Sequence, residues 1–440
     1  MKTVLLIVAA SAALGCSNGE RGRSASDTTR ADTARSGAAS SGQVQLKLPS
    51  GFTATVFAEN LGSTRHITAG PGGTIYANTW NSPYDTTRRV PSGGYLIALR
   101  DTNSDGRADD IRRFGSTHES GSKGGTGIAL NGNELYAEAD STIVRYRLSG
   151  SDPVPSGKPE VIVSGVPTKG GHPMHPIAVD SRNLFVTIGS ATNACQVKDR
   201  QAGSKGRDPC VELEKRAGIW RFSHQPGQRY GPSQRYATGI RNAGGLAFYS
   251  DGTLYSTQHG RDQLGDWTKL YNPKEGANLP AEELLRIRQG GDYGWPYCYY
   301  DPTLKRLVLA PEYGGDKKTP GRCASKLDPV AAFPAHWAPN ALAFYNGSMF
   351  PKEYQGGAFI AFHGSWNRAP EPQEGYNVVF QPMAQGTATG EYRVFADGFA
   401  GNAKDPGNAT HRPAGLTVGG DGALYISDDQ RGTIWRVSYK

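Results

Sequence analysis

One phrase recurs along this chain and restricts its fold more than any other feature. It consists of a small-apolar run, a turn bearing Gly, Asn or Asp, and an apolar pair that opens a second strand. It reads "ITAGPGGTIYANT" from Ile67, "GIALNGNELYAEA" from Gly127, "IAVDSRNLFVTIG" from Ile177 and "GLAFYSDGTLYSTQ" from Gly245. It returns with an enlarged turn as "ALAFYNGSMFPKEYQGGAFIAFH" from Ala341, and as "GLTVGGDGALYISDD" from Gly415. The turn pairs Gly72-Gly73, Asn131-Gly132, Asp251-Gly252 and Asp421-Gly422 are hairpin residues, because they reach positive φ at low cost. Several copies lead into a further strand, as in "STIVRYRL", "AGIWRFS" and "GTIWRVS".

Tyr76 and Tyr425 are corresponding residues five repeats apart, so the mean period is about 70 residues. A four-stranded propeller blade needs roughly 40 to 50 residues, and the excess is long loops. The expected fold is all-β, a six-bladed β-propeller, with loops gathered on one face. The 58 glycines and 28 prolines among 440 residues suit many short strands and tight turns. "IWRV" ends close to Lys440, so residues 44–64, with "VQLKL" and "FTATVFA", are expected to complete the last blade.

The chain divides into an export signal at 1–16, a flexible linker at 17–43 and the propeller at 44–440. Met1-Lys2 followed by an apolar run from Val4 to Leu14 is a charged start with a core too short to span a bilayer. Ala13-Leu14-Gly15-Cys16 resembles a bacterial lipobox, so the protein is expected in the periplasm or anchored to the envelope through lipidated Cys16. Membrane contact is expected through that anchor alone. The linker is rich in Ser, Ala, Arg, Gly and Thr and has almost nothing to bury. In an oxidising compartment, spacings of 15 and 25 residues favour Cys195 with Cys210 and Cys298 with Cys323 over the other two connectivities. No CxxCH is present, which argues against covalent haem. The net charge of +8 comes from scattered Lys and Arg with no aromatic-interleaved cluster, which argues against a nucleic-acid partner.

Polar residues flank the repeats. Arg241-Asn242 precede the first strand of the fourth copy, and Gln258-His259-Gly260-Arg261-Asp262 follow its second. His172 precedes the third copy, in "KGGHPMHPIAVD", and Arg412 the sixth. Such strand ends lie on one propeller face, so cationic, amide and imidazole groups converge there. That composition suits a planar polyanion, because Arg binds carboxylates in bidentate fashion and stacks on conjugated rings.

The segments "GIRNAGGLAF", "QHGRDQLGD", "GGDYGWPYCYYD", "HGSWNRAP" with "GYNVVF", and "HRPAGL" with "GALYISDD" resemble the pyrroloquinoline quinone (PQQ) dependent sugar dehydrogenases. The branch is that of the sorbosone and pyranose dehydrogenases, related to soluble glucose dehydrogenase, and the resemblance covers about residues 50 to 440. It implies PQQ over the central opening with Ca2+ as a Lewis acid at the quinone, a sugar or sugar-derived aldehyde as substrate, and a separate electron acceptor. By the same resemblance His172 is the general base, and Arg241, Asn242, His259, Arg261, Arg368 and Arg412 contact the cofactor. The carbonyls of Gly260 and Arg261, with Asp266 nearby, match the calcium site.

One departure stands out. The glucose-oxidising branch has an aspartate after the "TIG" strand to orient the histidine, whereas this chain has Ser190. An unassisted imidazole stays nearer its intrinsic pKa of about 6.5 and is a weaker base. Either another acid serves, or the substrate is easier to oxidise, such as an aldehyde hydrate. His175 has no counterpart and reads as a packed or surface residue.

A separate loop, "DTNSDGRADD", places Asp101, Asn103, Asp105 and Asp109 at EF-hand-like positions, but Arg112 stands where the closing glutamate belongs. It reads as a structural calcium site or as an acidic turn. Two other classes share the architecture. A calcium-dependent lactonase or esterase needs carboxylates around an axial ion rather than arginines. A non-catalytic propeller binding glycans or proteins predicts an aromatic rim, for which Trp337 and Trp366 are candidates.

Overall fold

The computed structural model describes residues 44–80, 92–115 and 124–440. The expected export signal and linker lie outside the described residues. Five four-stranded antiparallel sheets and one of five strands account for the repeats in sequence order. Each repeat phrase is the inner hairpin of a blade, as in Ala243–Phe248 with Leu254–Gln258 of blade four. The six inner strands contact one another in a closed ring, from Thr64–Ala69 of blade one round to Pro413–Val418 of blade six and back. The six-bladed propeller read from the repeats is therefore the observed fold.

Alternation along the strands explains the core. In blade three Val186 faces the space shared with blade two, while its neighbour Phe185 faces blade four. The six largest apolar clusters fill the six interblade spaces in this manner. Near the axis the inner strands approach so closely that some positions admit only glycine. A Cβ on Gly244 would lie 2.1 Å from the Pro339 carbonyl oxygen, and one on Gly415 2.2 Å from that of Arg65.

Phe52–Ala58 pairs antiparallel with Ile434–Tyr439 as the outer strand of blade six, so "FTATVFA" closes the ring. Within "VQLKL", Lys47 instead bridges Asp397 beyond the outer strand of blade five. The disulfides are Cys195–Cys210 and Cys298–Cys323, the local pairs expected. Both staple long loops in the region of blades three and four, where the chain also forms the only α-helix among the described residues, Pro273–Asn278.

The "DTNSDGRADD" loop closes on itself. Asp101 accepts from the N–H groups of Asp105 and Gly106, Asp105 from that of Arg107, Asp109 from that of Thr102, and Asn103 from that of Asp105. Among the described residues no group of three or more His, Cys, Asp or Glu side chains is arranged to hold a metal. The acidic-turn reading accounts for these contacts.

Candidate active site

Register shifts interrupt the inner hairpins at one end in four blades, at Thr64/Ile67, Ala243/Leu246, Pro339/Ala341 and Pro413/Gly415. Such bulges re-aim side chains. They occur where the hairpin ends surround a cavity of about 730 Å³ on the axis, within the range of small-molecule sites. His172, Arg241, Asn242, His259, Gly260 and Arg412 all line it. Sequence reasoning left Arg65, Arg200, Asp262, Glu282, His363 and Asp429 without roles, and they line it too.

His172 is buried, and its Nδ1 lies 2.9 Å from Ser190 Oγ and 3.1 Å from the Ser190 carbonyl. Ser190 Oγ spends its hydrogen on the Thr192 carbonyl, at 2.6 Å, so it meets the imidazole as an acceptor. Nδ1 therefore carries the hydrogen, and Nε2 keeps its lone pair. Burial first, then Arg241, pushes this imidazole well below its ordinary value. Serine thus fixes the tautomer without adding the charge an aspartate would bring. His175, three residues on, is packed between the carbonyls of Thr187 and Pro167, each 2.9 Å from a ring nitrogen.

Arg241 is held on three sides. It donates to the Gly260 carbonyl at 2.9 Å, to Asn193 Oδ1 at 3.0 Å and to Asp262 Oδ2 at 2.8 Å. Asp262 also receives Arg200 at 2.9 Å and Asn367 at 3.0 Å. Burial pushes the Asp262 carboxyl up, but Arg241 and Arg200 outweigh it and hold the group well below the usual carboxylate range. Asn193 is the hub of this wall. Its side chain accepts from Arg241 and from the Asp262 N–H, and donates to the Asp262 carbonyl at 2.9 Å.

The remaining walls follow the same logic. Glu282, on the third strand of blade four, accepts from the N–H groups of Gly260 at 2.8 Å and Ala338 at 3.1 Å, and burial pushes it up to about 8. Arg412 donates to the carbonyls of His363 and Gly364, each at 3.0 Å. His259 is pushed down to about 3 by burial and Arg241, and its Nε2 is buried with no hydrogen-bond partner among the described residues.

Three residues expected at the site stand elsewhere. The Arg261 side chain turns away from the cavity into a buried ion pair with Glu312. Arg368 donates to the carbonyls of Pro372, Ala335 and Ala277, fastening its own loop rather than lining the cavity. Asp266 is exposed, outside the cavity lining. Trp337 is buried against Phe362, whereas Trp366 is 59% exposed on the rim.

The lining fits a polycarboxylate. Arg65, Arg200, Arg241 and Arg412 face three carboxyl groups, Asp262, Glu282 and Asp429, of which Glu282 is mostly protonated at neutral pH. The orphaned His259 Nε2 adds a polar group in need of a partner. Calcium fits less readily, because the Gly260 carbonyl already receives the Arg241 guanidinium.

An uncharacterized protein of Borreliella burgdorferi is 31% identical over 207 residues, 46% of this chain and 48% of that protein. A pyrroloquinoline quinone-dependent pyranose dehydrogenase of Coprinopsis cinerea is 26% identical over 229 residues, 45% of this chain and 30% of that one. The matched stretch thus spans about half or less of these relatives. The holo PQQ domain of the Coprinopsis cinerea pyranose dehydrogenase superposes with a TM-score of 0.69 at 19% identity, covering 90% of this chain and 97% of that domain. At that identity the likeness is one of fold. A family model described as TrAA12-like matches residues 46–440, the whole propeller, and the chain therefore belongs to the TrAA12-like family.

Proposed function

We propose that the chain is a PQQ-dependent oxidoreductase that oxidises a sugar or sugar-derived aldehyde, with His172 as the proton acceptor. The observation that carries this reading is the meeting of a tautomer-fixed imidazole, His172, with four arginines in one axial cavity. The family match and the relative's name support the cofactor.

The arginines bind the cofactor's carboxylates, with Arg412 and Arg241 held in place by the strand-end groups they already contact. PQQ, if bound here, would supply the hydride acceptor for oxidation of the substrate's carbinol carbon. Nε2 of His172 receives the hydroxyl proton, and Ser190 keeps the ring turned for that task. A calcium ion would be held by the carbonyls of Gly260 and Arg261 once Arg241 released the Gly260 oxygen, and would supply Lewis-acid polarisation. Trp366 offers an exposed aromatic face on the rim for a sugar ring. Export is supported by the two disulfides and by the N-terminal signal pattern, with Cys16 as the proposed lipid anchor.

Metal-depleted protein titrated with PQQ, with and without Ca2+, tests the reading through cofactor absorbance and dye reduction over a panel of aldoses and aldehydes. Tight binding, with turnover that collapses in His172→Ala while PQQ still binds, is the expected result. Absence of PQQ binding at micromolar concentrations with Ca2+ present overturns it.

A further inference from the structure

The carboxylate-oriented imidazole that the Ser190 substitution denies to His172 exists on another blade. His363 directly follows the second strand of blade five, Ala358–Phe362, and lines the cavity. Its Nε2 lies 2.7 Å from Asp429 Oδ1, and Asp429 Oδ2 receives Arg65 at 2.5 Å. Burial raises the Asp429 carboxyl, but His363 and Arg65 outweigh it and keep the group ionised. Nε2 therefore carries a hydrogen toward Asp429, and Nδ1 presents a lone pair with no hydrogen-bond partner among the described residues.

The charged and titratable groups that face this ring are Arg412, Arg65, Asp429 and His259. Burial, then Arg412, holds the imidazole down to about 4 despite Asp429. An anion set against Arg412 and Arg65 works against burial by acting on the lesser causes, the charges around the ring. It cancels the guanidinium repulsion and leaves the ring between two carboxylates, an arrangement that favours the charged form.

We propose that His363 is a ligand-contacting residue that takes up a proton as a polycarboxylate binds and holds it as an imidazolium between Asp429 and the ligand. The proton comes from solvent, Nε2–H stays on Asp429, and the new Nδ1–H donates to a ligand carboxylate. This inference rests on the PQQ reading above.

Calorimetric titration of the whole protein with PQQ near pH 6, in two buffers of different ionisation enthalpy, counts the protons taken up without any turnover. The expected result is an uptake approaching about one proton per PQQ in the wild type, reduced at least twofold in His363→Gln. Wild-type binding heats that do not depend on the buffer overturn the proposal with no variant required. An uptake unchanged in a folded His363→Gln or His363→Asn overturns it as well. Absence of any PQQ binding removes the functional reading, and this inference with it.

Discussion

Ser190 Oγ stands 2.9 Å from Nδ1 of His172 and has given its own hydrogen to the Thr192 carbonyl. The contact orients the imidazole without adding charge, and among its surroundings burial, then Arg241, lower the proton affinity of His172 while Asp262 raises it less. Ser190→Asp adds a negative charge at this point and raises the pKa of His172. Because the base must be neutral, the acid limb of kcat/KM should move to higher pH, by about one unit or more. A pH–rate profile checks this, and an unmoved limb argues against His172 as the base.

Arg412 reaches the cavity with its main chain anchored on Asp428 and its guanidinium on two carbonyls. A charge-assisted hydrogen bond contributes about 1.5–3 kcal/mol, so Arg412→Ala should weaken PQQ roughly 10- to 150-fold. Equilibrium titration by cofactor absorbance measures it. The loss should exceed that in Arg368→Ala, whose side chain lies outside the lining.

The two disulfides should separate in their effects. Each closes a short loop, and removing either should cost about 2–4 kcal/mol. The Cys195–Cys210 loop carries Arg200, and Asn193 lies just ahead of it, both touching Asp262. Replacing that pair by serine should therefore also weaken PQQ binding, whereas replacing Cys298 and Cys323 should lower stability and leave binding nearly intact. Denaturant unfolding paired with PQQ titration of both variants distinguishes the outcomes.

Asp262→Asn leaves Arg241 buried beside a neutral amide. Breaking a buried pair in this way costs about 3 kcal/mol or more, read as a lower denaturant midpoint at neutral pH. In the wild type the folded-state value of Asp262 is depressed, so its stabilisation is present above the unfolded value of about 3.9 and is lost as pH falls toward the folded one. The gap between wild type and variant should hence narrow below about pH 4.

The architecture was legible because it is written locally and six times over. Gly-containing turn pairs, a small-apolar lead and a fixed offset between Tyr76 and Tyr425 each survive without knowledge of distant contacts. His172, Arg241, Asn242, His259 and Arg412 were legible as strand-end residues for the same reason. Arg65 was not, although it carried a signal. It sits within an inner strand, two residues before the pairing resumed at Ile67, where blade four has Gly244 and blade six Ala414. The corresponding residues of blades two, three and five are Thr126, His175 and Asn340, so Arg65 is the one permanent charge at this position of the six blades. Arg261 and Arg368 show the opposite failure. Residue type alone cannot tell a guanidinium that lines the cavity from one held outside it by Glu312 or by loop carbonyls. Glu282 gave no signal, since "EELLRI" reads as a half-apolar strand and the Gly260 and Ala338 N–H groups it receives arrive from elsewhere.

Blade six joins the first described strand to the last, with Phe52 opposite Tyr439 and the Lys440 N–H on the Gly51 carbonyl. During synthesis, residues 52–58 emerge early and wait for a partner that leaves the ribosome after all other blades. Every growing chain therefore passes through a stage in which the apolar residues of that strand and the flank of blade one, including Phe57, Ile75 and Ile97, lack their cover. Sealing the ring at the last step makes the propeller all-or-none, and a chain cut short by even one strand keeps an open seam prone to pairing with its neighbours.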